Sequence, residues 1–332
     1  MCPQFVDFNA DGHFDLVMGT FEGVTYLVPG TGDDYTKGLA YRDAVRVKDE
    51  KGDPILISAF WNFDAKKWDH AEHHAPDDEG TKDHQISAVA VDWDGDADLD
   101  LLLGSKEGRL YLRVNEGKAD APKYSRHHRK IRIGSKDSLV PGGLTAPRVV
   151  DWNADGLFDL VCGSFTGGVY LYLNRGTATE PEFDEETVLV SSGGERGLVP
   201  THEGEPLRPG RGCYVDAVDY DQDGDLDLIV GGYSRWETPP SPDMTPEDLQ
   251  NLADWDAELA TVDAAFSKFL ADAKAATKGK STEEGQKIYN EMFANAEFKK
   301  LQARRMELTN LIRPLRPEPF QEKAFVWLYR RN

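Results

Sequence analysis

Short stretches of alternating apolar and polar residues recur along the chain on either side of acidic segments. "PRVV" at 147–150 and "YVDAV" at 214–218 precede such segments. "GVTYLV" at 23–28, "GRLYLR" at 108–113 and "GGVYLYL" at 167–173 follow them after a glycine-containing turn. A period of two around a tight polar loop is typical of β-hairpins. The pattern predicts a repeated unit of strand, acidic loop, strand, glycine turn and strand.

The acidic segments align with one another without gaps. Each has a carboxylate or amide side chain at loop positions 1, 3, 5 and 9, an apolar residue at position 8 and a glycine at position 13. We expect the apolar position 8 to anchor the loop in the core. The aligned segments are "DFNADGHFDLVMG" from Asp7, "DWDGDADLDLLLG" from Asp92, "DWNADGLFDLVCG" from Asp151 and "DYDQDGDLDLIVG" from Asp219.

The spacing of these loops predicts small blades of β-sheet. The loops begin 85, 59 and 68 residues apart, which leaves room for about four short strands in each unit, the size of one propeller blade. Because a single blade cannot bury both of its faces, neighbouring units must stack. The predicted fold is all-β: a small, about four-bladed or partial β-propeller over residues 1–236. Its loops lie at 7–15, 92–100, 151–159 and 219–227.

A segment of different composition interrupts the fourth unit. Apolar residues recur three or four positions apart from Leu252 to Phe269 and again from Phe298 to Leu315. This spacing predicts an inserted α-helical hairpin over residues 237–322. Residues 323–332 resemble the third strand of the other units and are predicted to close the last blade.

Composition and charge exclude some partners. The 332 residues carry a formal net charge of −21 at pH 7, so the phosphates of nucleic acid or an anionic membrane would be repelled. No apolar run approaches the roughly 20 residues that span a bilayer, and the first residues lack a signal-peptide pattern. The three cysteines, Cys2, Cys162 and Cys213, match no metal-binding spacing and are predicted to be buried in strands.

The crowding of oxygen atoms in each acidic loop predicts a divalent cation. Two carboxylates ~4 Å apart repel each other by about 1 kcal/mol in water and by more near a protein surface. Side chains at positions 1, 3, 5 and 9, with the backbone carbonyl of position 7, supply the hard oxygen shell that Ca²⁺ prefers. Glycine at position 6 permits the sharp turn, but the second loop has Ala97 there, which predicts a distorted or weaker site.

These loops resemble the FG-GAP/VCBS repeat family, the calcium-loop blades also found in the propeller of integrin α-chains. The resemblance covers residues 1–235 and 325–332 and implies up to four structural Ca²⁺ ions. Family members usually have seven blades, so the four loops here imply a small ring or a partial one. The implied ligands are Asp7, Asn9, Asp11, Asp15, Asp92, Asp94, Asp96, Asp100, Asp151, Asn153, Asp155, Asp159, Asp219, Asp221, Asp223 and Asp227, with the backbone carbonyls of His13, Asp98, Leu157 and Asp225.

The favoured function is that of a calcium-stabilised binding or scaffold module for protein or carbohydrate. Extracellular modules bind Ca²⁺ with Kd near ~10⁻⁴–10⁻³ M, so we expect a secreted or periplasmic protein. The alternative is a carbohydrate-active enzyme, a lyase or hydrolase, with catalytic residues on the propeller rim. A third hypothesis is a half-ring that a second copy completes. The apolar stripes of the helices either close on each other and on the side of the propeller, or stay partly exposed and form a homo-oligomer or receive a partner helix.

Three other features carry candidate chemistry. The histidine-rich segment 68–84 is either a transition-metal or catalytic site or a solvated loop. The basic segment "SRHHRK" at 125–130 is either an exposed strand edge or a contact for an acidic glycan or partner. Tryptophans near inter-strand loops either stack on sugars or anchor the core. The histidines and tryptophans in question are His70, His73, His74, His84, Trp61, Trp68 and Trp236.

Overall fold

The computed structural model describes residues 3–32, 40–70, 83–134, 136–137, 139–194, 197–241, 243–278, 280–316 and 318–331. The chain forms two compact units, one of Met1–Arg235 with Glu322–Asn332 and the other of Trp236–Gln321. The acidic loops lie in the first unit and the helices in the second.

Each acidic loop belongs to its own antiparallel sheet, in which it joins the first strand to the second. Small two-stranded hairpins lie between the larger sheets along the chain. Sheet one contains β1 (Gln4–Val6), β2 (Asp15–Gly19), β3 (Thr25–Val28) and β4 (Val45–Arg46), and is followed by the hairpin of β5 (Ala59–Asn62) and β6 (Lys67–His70). Sheet two contains β7 (Gln85–Val91), β8 (Asp100–Ser105), β9 (Leu110–Arg113) and β10 (Arg129–Lys130), and is followed by the hairpin of β11 (Arg132–Ile133) and β12 (Lys136–Asp137).

The last two sheets follow the same plan. Sheet three contains β13 (Ala146–Val150), β14 (Asp159–Gly163), β15 (Val169–Tyr172) and β16 (Thr187–Val190), and is followed by the hairpin of β17 (Thr201–His202) and β18 (Glu205–Pro206). Sheet four contains β19 (Arg211–Val218), β20 (Asp227–Glu237) and β21 (Phe320–Tyr329). Its third strand therefore comes from beyond the helices.

Consecutive sheets bury a hydrophobic core between them. Val17 of sheet one packs in one cluster with Ala88 and Leu101 of sheet two. Leu102 of sheet two shares a second cluster with Leu160 of sheet three. The third cluster joins sheets three and four through residues that include Val161, Val169, Cys213 and Leu228. Strands of the inner sheets are covered on both faces, which is why they are continuous apolar runs such as "LLLG" rather than alternating ones.

Glycine at position 13 of the first three repeats permits this close packing of sheets. A Cβ atom on Gly19 would lie 2.5 Å from the Cα atom of Ser87 in β7. A Cβ atom on Gly163 would lie 2.4 Å from the carbonyl oxygen of Cys213 in β19. Both distances are below contact, so any side chain here would push neighbouring sheets apart.

The second unit contains three helices: α1 (Pro246–Thr277), α2 (Thr282–Ala294) and α3 (Ala296–Leu315). Phe298 of α3 is buried and stacks on Phe266 of α1 with ring centroids 4.7 Å apart. Arg304 pairs with Glu258, and Arg316 pairs with Asp256. Later residues of α3 thus meet earlier residues of α1, so these two helices run antiparallel.

The expected helical hairpin is wrong in one respect, because α2 lies between its two arms in sequence. The segment "TKGKSTEEGQ", which lies between the two apolar series, ends α1 and starts α2. Ser281 accepts the N–H of Glu284, whose carboxylate accepts the N–H of Ser281, a capping box that starts α2.

The described chain is thus mostly β, with several antiparallel sheets and three helices, as the repeat pattern predicted. Cys162 and Cys213 are buried, as predicted, and Cys2 lies outside the described residues. None of the described helices is long and apolar enough to cross a bilayer.

Candidate metal centres

A buried aspartate at position 9 holds each acidic loop to its sheet. In the third loop, Asp159 is fully buried, and its carboxylate accepts the N–H of Trp152 at 3.0 Å and the N–H of Asn174 at 2.8 Å. One partner is residue 2 of the loop, and the other follows the third strand. The same pairing joins Asp15 to Phe8 and Gly30, Asp100 to Trp93 and Asn115, and Asp227 to Tyr220 and Arg331.

Burial makes two of these carboxylates, Asp100 and Asp159, costly to ionise. It raises the pKa of Asp159 and raises the pKa of Asp100 to about 7, although the backbone N–H donors act in the opposite direction. From the sequence, position 9 is predicted only as a metal ligand. In the structure this aspartate also holds the loop backbone. It can do so and still bind a metal ion, because each carboxylate oxygen has a second lone pair.

The side chains at positions 1 and 5 curl the loop around one centre. Asp151 accepts the N–H groups of Asp155 at 3.0 Å and of Gly156 at 2.9 Å. Asp155 in turn accepts the N–H of Leu157 at 2.9 Å. The first and fourth loops form the same bonds through their own residues 1 and 5. These bonds hold the carboxylates of positions 1 and 5 against the backbone of their own loop.

In the second and fourth loops the acidic oxygens form compact groups. Asp92, Asp94 and Asp96 each place a carboxylate oxygen within 4.8 Å of the others. Asp219, Asp221 and Asp223 do the same. Hard, negatively charged oxygens at this spacing are suited to Ca²⁺ rather than to zinc or copper.

The first and third loops reduce the repulsion with an amide at position 3. Asn9 donates its amide N–H to Asp11 at 3.1 Å, and Asn153 donates to Asp155 at 2.9 Å. Each amide oxygen also accepts the N–H of position 5. These loops have the same frame with one carboxylate fewer.

Asp98 supplies an observation independent of the loop pattern. This side chain is 5% exposed, and its Oδ1 atom is buried without a hydrogen-bond partner among the described residues. Burial, followed by the charge of Asp96, raises the pKa of Asp98. A buried carboxylate oxygen without a donor, beside three other carboxylates, fits a cation site.

The second loop is not more strained than the others, contrary to the expectation from Ala97. Every loop has two residues with positive φ, at positions 4 and 6. In the second loop the glycine is Gly95 at position 4 (φ 80°), and the non-glycine residue is Ala97 at position 6 (φ 71°). The third loop reverses this, with Ala154 (φ 57°) and Gly156 (φ 87°). Each loop therefore contains one non-glycine residue with a left-handed backbone conformation, and each has the steric cost of that residue.

The expected anchoring role of position 8 is wrong for two loops. Phe14 is 58% exposed and Phe158 is 37% exposed. In the first loop, position 2 anchors instead, through Phe8, which is 4% exposed; in the second loop Trp93 at position 2 is 3% exposed and Leu99 at position 8 also packs on the core. The N–H bond to position 9 does not by itself bury this side chain, because Tyr220 forms the same bond and is 56% exposed.

Two arginines after β21 reach the fourth loop. Arg330 lies 3.6 Å from Asp221, and Arg331 lies 3.8 Å from Asp225. The Arg331 guanidinium also donates to the carbonyl of Trp152 in the third loop. The contacts of these two arginines with the acidic loops were not predicted from the sequence. The signal that could have found them is the alignment of Arg331 with Asn174, which follows the third strand of sheet three.

Of the histidines and tryptophans singled out from the sequence, only some lie close together in the structure. His84 is buried, with its ring 4.3 Å from that of Trp68. Trp68 lies edge-on to Trp61, and the Phe21 ring centroid is 6.5 Å from that of His84. Trp68 is 41% exposed and Phe21 is 61% exposed, so this aromatic group presents two rings to solvent.

Other members of those sets lie elsewhere. Trp236 is buried, and His73 and His74 lie outside the described residues, as does the side chain of His70. In the basic segment, Arg126 pairs with Asp53 at 2.8 Å. His128 packs on Tyr111, and Arg129 and Lys130 form β10, an edge strand of sheet two. The segment is therefore not a continuous basic surface.

A cleft of about 330 Å³ lies between sheets three and four, lined by Phe165, Arg211, Arg235 and several glycines. Gly193 here donates its N–H to the carbonyl of Thr166 at 2.7 Å. Between sheets one and two, the same bond runs from Trp61 to the carbonyl of Glu22. Gly193, which has no side chain, thus takes the backbone position that Trp61 has at the earlier junction.

Comparisons with known proteins agree with part of this picture. Residues 151–230 match the family model described as an FG-GAP-like repeat, which confirms the resemblance over that stretch. No curated protein matches the chain.

Two similar solved structures are crystal structures of BBS1N in complex with ARL6DN, one soaked with mercury and one with lead. The first is 13% identical with a TM-score of 0.26, covering 69% of this chain and 76% of that chain. The second is 11% identical with a TM-score of 0.27, covering 70% and 77%. Similarity at this level carries no argument about fold or function.

Proposed function

We propose that this protein is a calcium-stabilised β-propeller-like module, small or partial, that binds protein or carbohydrate outside the cytoplasm. The observation that carries the proposal is the common frame of the four acidic loops. In each loop a buried aspartate fixes the backbone while carboxylate or amide oxygens stay gathered. The donor-free oxygen of Asp98 supports a cation in the second loop.

The residues that would hold the ion are those at loop positions 1, 3 and 5, with the position 7 carbonyl and the position 9 carboxylate. Bound calcium would supply positive charge that offsets the repulsion among these oxygens. At free calcium tenfold above Kd, each site would add about 1.4 kcal/mol to the free energy of unfolding. Four such sites would add an amount comparable with the stability of a typical domain.

The proposed location follows from this energetics. Loops of this exposed kind suit Kd values near ~10⁻⁴–10⁻³ M, which are met outside the cytoplasm. At cytosolic calcium the carboxylates would remain without an ion and would repel one another. A secreted or periplasmic setting is therefore part of the proposal.

The proposed ligand surface is the aromatic group of Phe21, Trp61, Trp68 and His84. Its exposed rings offer flat apolar area on a buried support, an arrangement that suits a sugar ring or an apolar side chain of a partner.

Calcium titration tests the metal proposal. Isothermal titration calorimetry on metal-free protein should show calcium binding, and scanning calorimetry should show a higher melting temperature in calcium than in EDTA. Asp96→Asn should weaken binding in the second loop, whereas the control Asp120→Asn, an exposed aspartate outside the loops, should not. Absence of heat and an unchanged melting temperature would refute it.

A glycan array with product analysis tests the ligand proposal. We expect retention of a glycan, or capture of a protein ligand, that is lost in Trp68→Ala and kept in the control Phe63→Ala, which is 63% exposed outside the aromatic group. Cleaved or unsaturated sugar products would instead establish the enzyme.

A further inference from the structure

The outer face of sheet four exposes apolar residues at positions whose counterparts in sheet three are buried. In sheet three, Val161, Val169 and Leu171 face sheet four and are 0%, 0% and 5% exposed. The repeat aligns Val326 with Val169 and Leu328 with Leu171, because Arg331 and Asn174 make the same bond to position 9. Yet Val326 is 73% exposed and Leu328 is 38% exposed.

Gly231 gives the same indication by a different measure. At Gly19, Gly104 and Gly163 an added Cβ atom would lie 2.3–2.5 Å from the first strand of the next sheet or, for Gly104, from Thr145 directly before that strand. At Gly231 the nearest atom would be the carbonyl oxygen of Tyr214, 4.0 Å away in the same sheet. Sheet four thus has the glycine that would permit a neighbouring strand to pack closely. In the part of the chain that the structure describes, no strand of another sheet lies beside this glycine. We define the sheet-four face as Ile229, Gly231, Val326 and Leu328.

Sheet one has the complementary face. Phe5 pairs with Leu16 as Ala90 pairs with Leu101 in sheet two. Ala90 is 3% exposed and Leu101 is fully buried against the preceding sheet, whereas Phe5 is 56% exposed. Leu16 and Met18 are only half-buried. We define the sheet-one face as Phe5, Leu16 and Met18.

We propose that the sheet-four face of one copy docks on the sheet-one face of a second copy. Every internal junction in this chain joins a second-strand face to the first-strand face of the next sheet, and these two faces are the matching halves of such a junction. The contact is head to tail, and two copies that make it twice would close a ring of eight sheets. Propellers of four to eight blades are known, so that number is geometrically acceptable.

The inference rests on the sheet-repeat module proposed above but not on its metal. The interface differs from the helical surface considered in the sequence analysis. Because each chain carries a net charge of −21, association must overcome repulsion and should strengthen with salt.

Analytical ultracentrifugation over a range of protein concentrations tests the proposal. The expected particle has twice the mass of the monomer. Val326→Lys and Phe5→Lys should each weaken association by about 100-fold, because each places a charge in a buried contact. The control Val188→Lys, on β16 and 53% exposed, should associate like the parent protein. Lysine lowers the net negative charge, so weaker association cannot come from added overall repulsion.

Mixing the variants tests the head-to-tail direction. Val326→Lys retains a good sheet-one face and Phe5→Lys a good sheet-four face, so the mixture should form a heterodimer through one intact contact. Association of Phe5→Lys alone, as tight as that of the parent, would overturn the head-to-tail contact. A series of species larger than a dimer would overturn the two-copy ring.

The same runs in EDTA and in calcium keep the two proposals separate. A protein that binds calcium but stays monomeric at every concentration overturns this inference and leaves the proposed function standing. A dimer without calcium binding does the reverse.

Discussion

The guanidinium of Arg331 donates to the backbone carbonyl of Trp152 at 2.6 Å, which joins the segment after β21 to the acidic loop of sheet three. It also lies over the Trp152 ring, 5.2 Å from the ring centroid. The N–H of Arg331 is held by Asp227 at 2.9 Å. One residue therefore links the third and fourth acidic loops without any ion.

Replacing this arginine should destabilise the protein even without calcium. Arg331→Gln should lower the free energy of unfolding by about 1–3 kcal/mol, since the Trp152 carbonyl loses its donor and the ring loses its cation. Urea denaturation in EDTA measures this. The control Arg330→Gln, whose side chain is 56% exposed, should change it by less than about 0.5 kcal/mol. Equal losses in the two variants would contradict the assignment.

The framework aspartates should be separable from the rim carboxylates. Asp159→Ala leaves the N–H groups of Trp152 and Asn174 without their acceptor and should cost about 2–5 kcal/mol in EDTA. Asp155→Asn should cost less than about 1 kcal/mol in EDTA but reduce the stabilisation by calcium. Chemical denaturation with and without calcium distinguishes them. A similar EDTA stability for both variants would argue against the framework role.

Acid should weaken the packing around His84. Burial, followed by the charge of Lys106, lowers the pKa of His84 below its ordinary value of 6.5, whereas Asp83 opposes the shift. The unfolded chain then binds a proton more readily than the folded one. Stability from this group is fully present above pH 6.5 and is lost as the pH falls below it, by at most about 1.4 kcal/mol per pH unit.

Denaturation between pH 7.5 and about 5 measures this loss. His84→Phe keeps a ring beside Phe21 and Trp68 and should remove the acid-dependent loss that this group causes. Asp100, whose raised pKa of about 7 acts in the opposite sense, is the same in both proteins. The control His202→Gln, at an exposed position, should leave the profile unchanged. A His84→Phe profile as steep as that of the parent would show that another group causes the acid sensitivity.

The helical unit should depend on one aromatic contact. Phe298 is 1% exposed and meets both Phe266 and Phe269, so Phe298→Ala should destabilise this unit by about 3–5 kcal/mol. Melting followed by the helical circular dichroism signal measures the effect. Met306→Ala, at a position 63% exposed in the same helix, serves as the control. An unchanged helical melting temperature would refute the role of Phe298.

The sequence predicted the strands well because their signal is local. Period-two patterns around Asp151 and Asp219 coincide with β13, β14, β19 and β20. The sequence did not predict which of Phe8 and Phe14 is buried. Both are phenylalanines, but Phe8 is covered by a neighbouring sheet and Phe14 is exposed. Such facing depends on contacts between distant residues, which no local period encodes.

The candidate site was predictable in its residues but not in their division of labour. Asp155 and Asp159 look alike in the sequence, yet one lies on an exposed rim and the other is fully buried under two N–H donors. The start of α2 was locally visible as Ser281 and Glu284 three residues apart. It was missed because glycine and lysine around it indicated a break.

The origin of β21 has a consequence for the order of folding. Sheets one to three use strands that follow one another closely, so each can form as soon as its own residues have been synthesised. Sheet four has β20 ending at Glu237 and β21 beginning at Phe320, with the helices between. Its completion must wait for the helices to be made, and the entropy of closing that long loop makes it a slow step. Until then Asp227 lacks the Arg331 donor, and a nascent chain stopped within the helices would expose β20 to aberrant pairing.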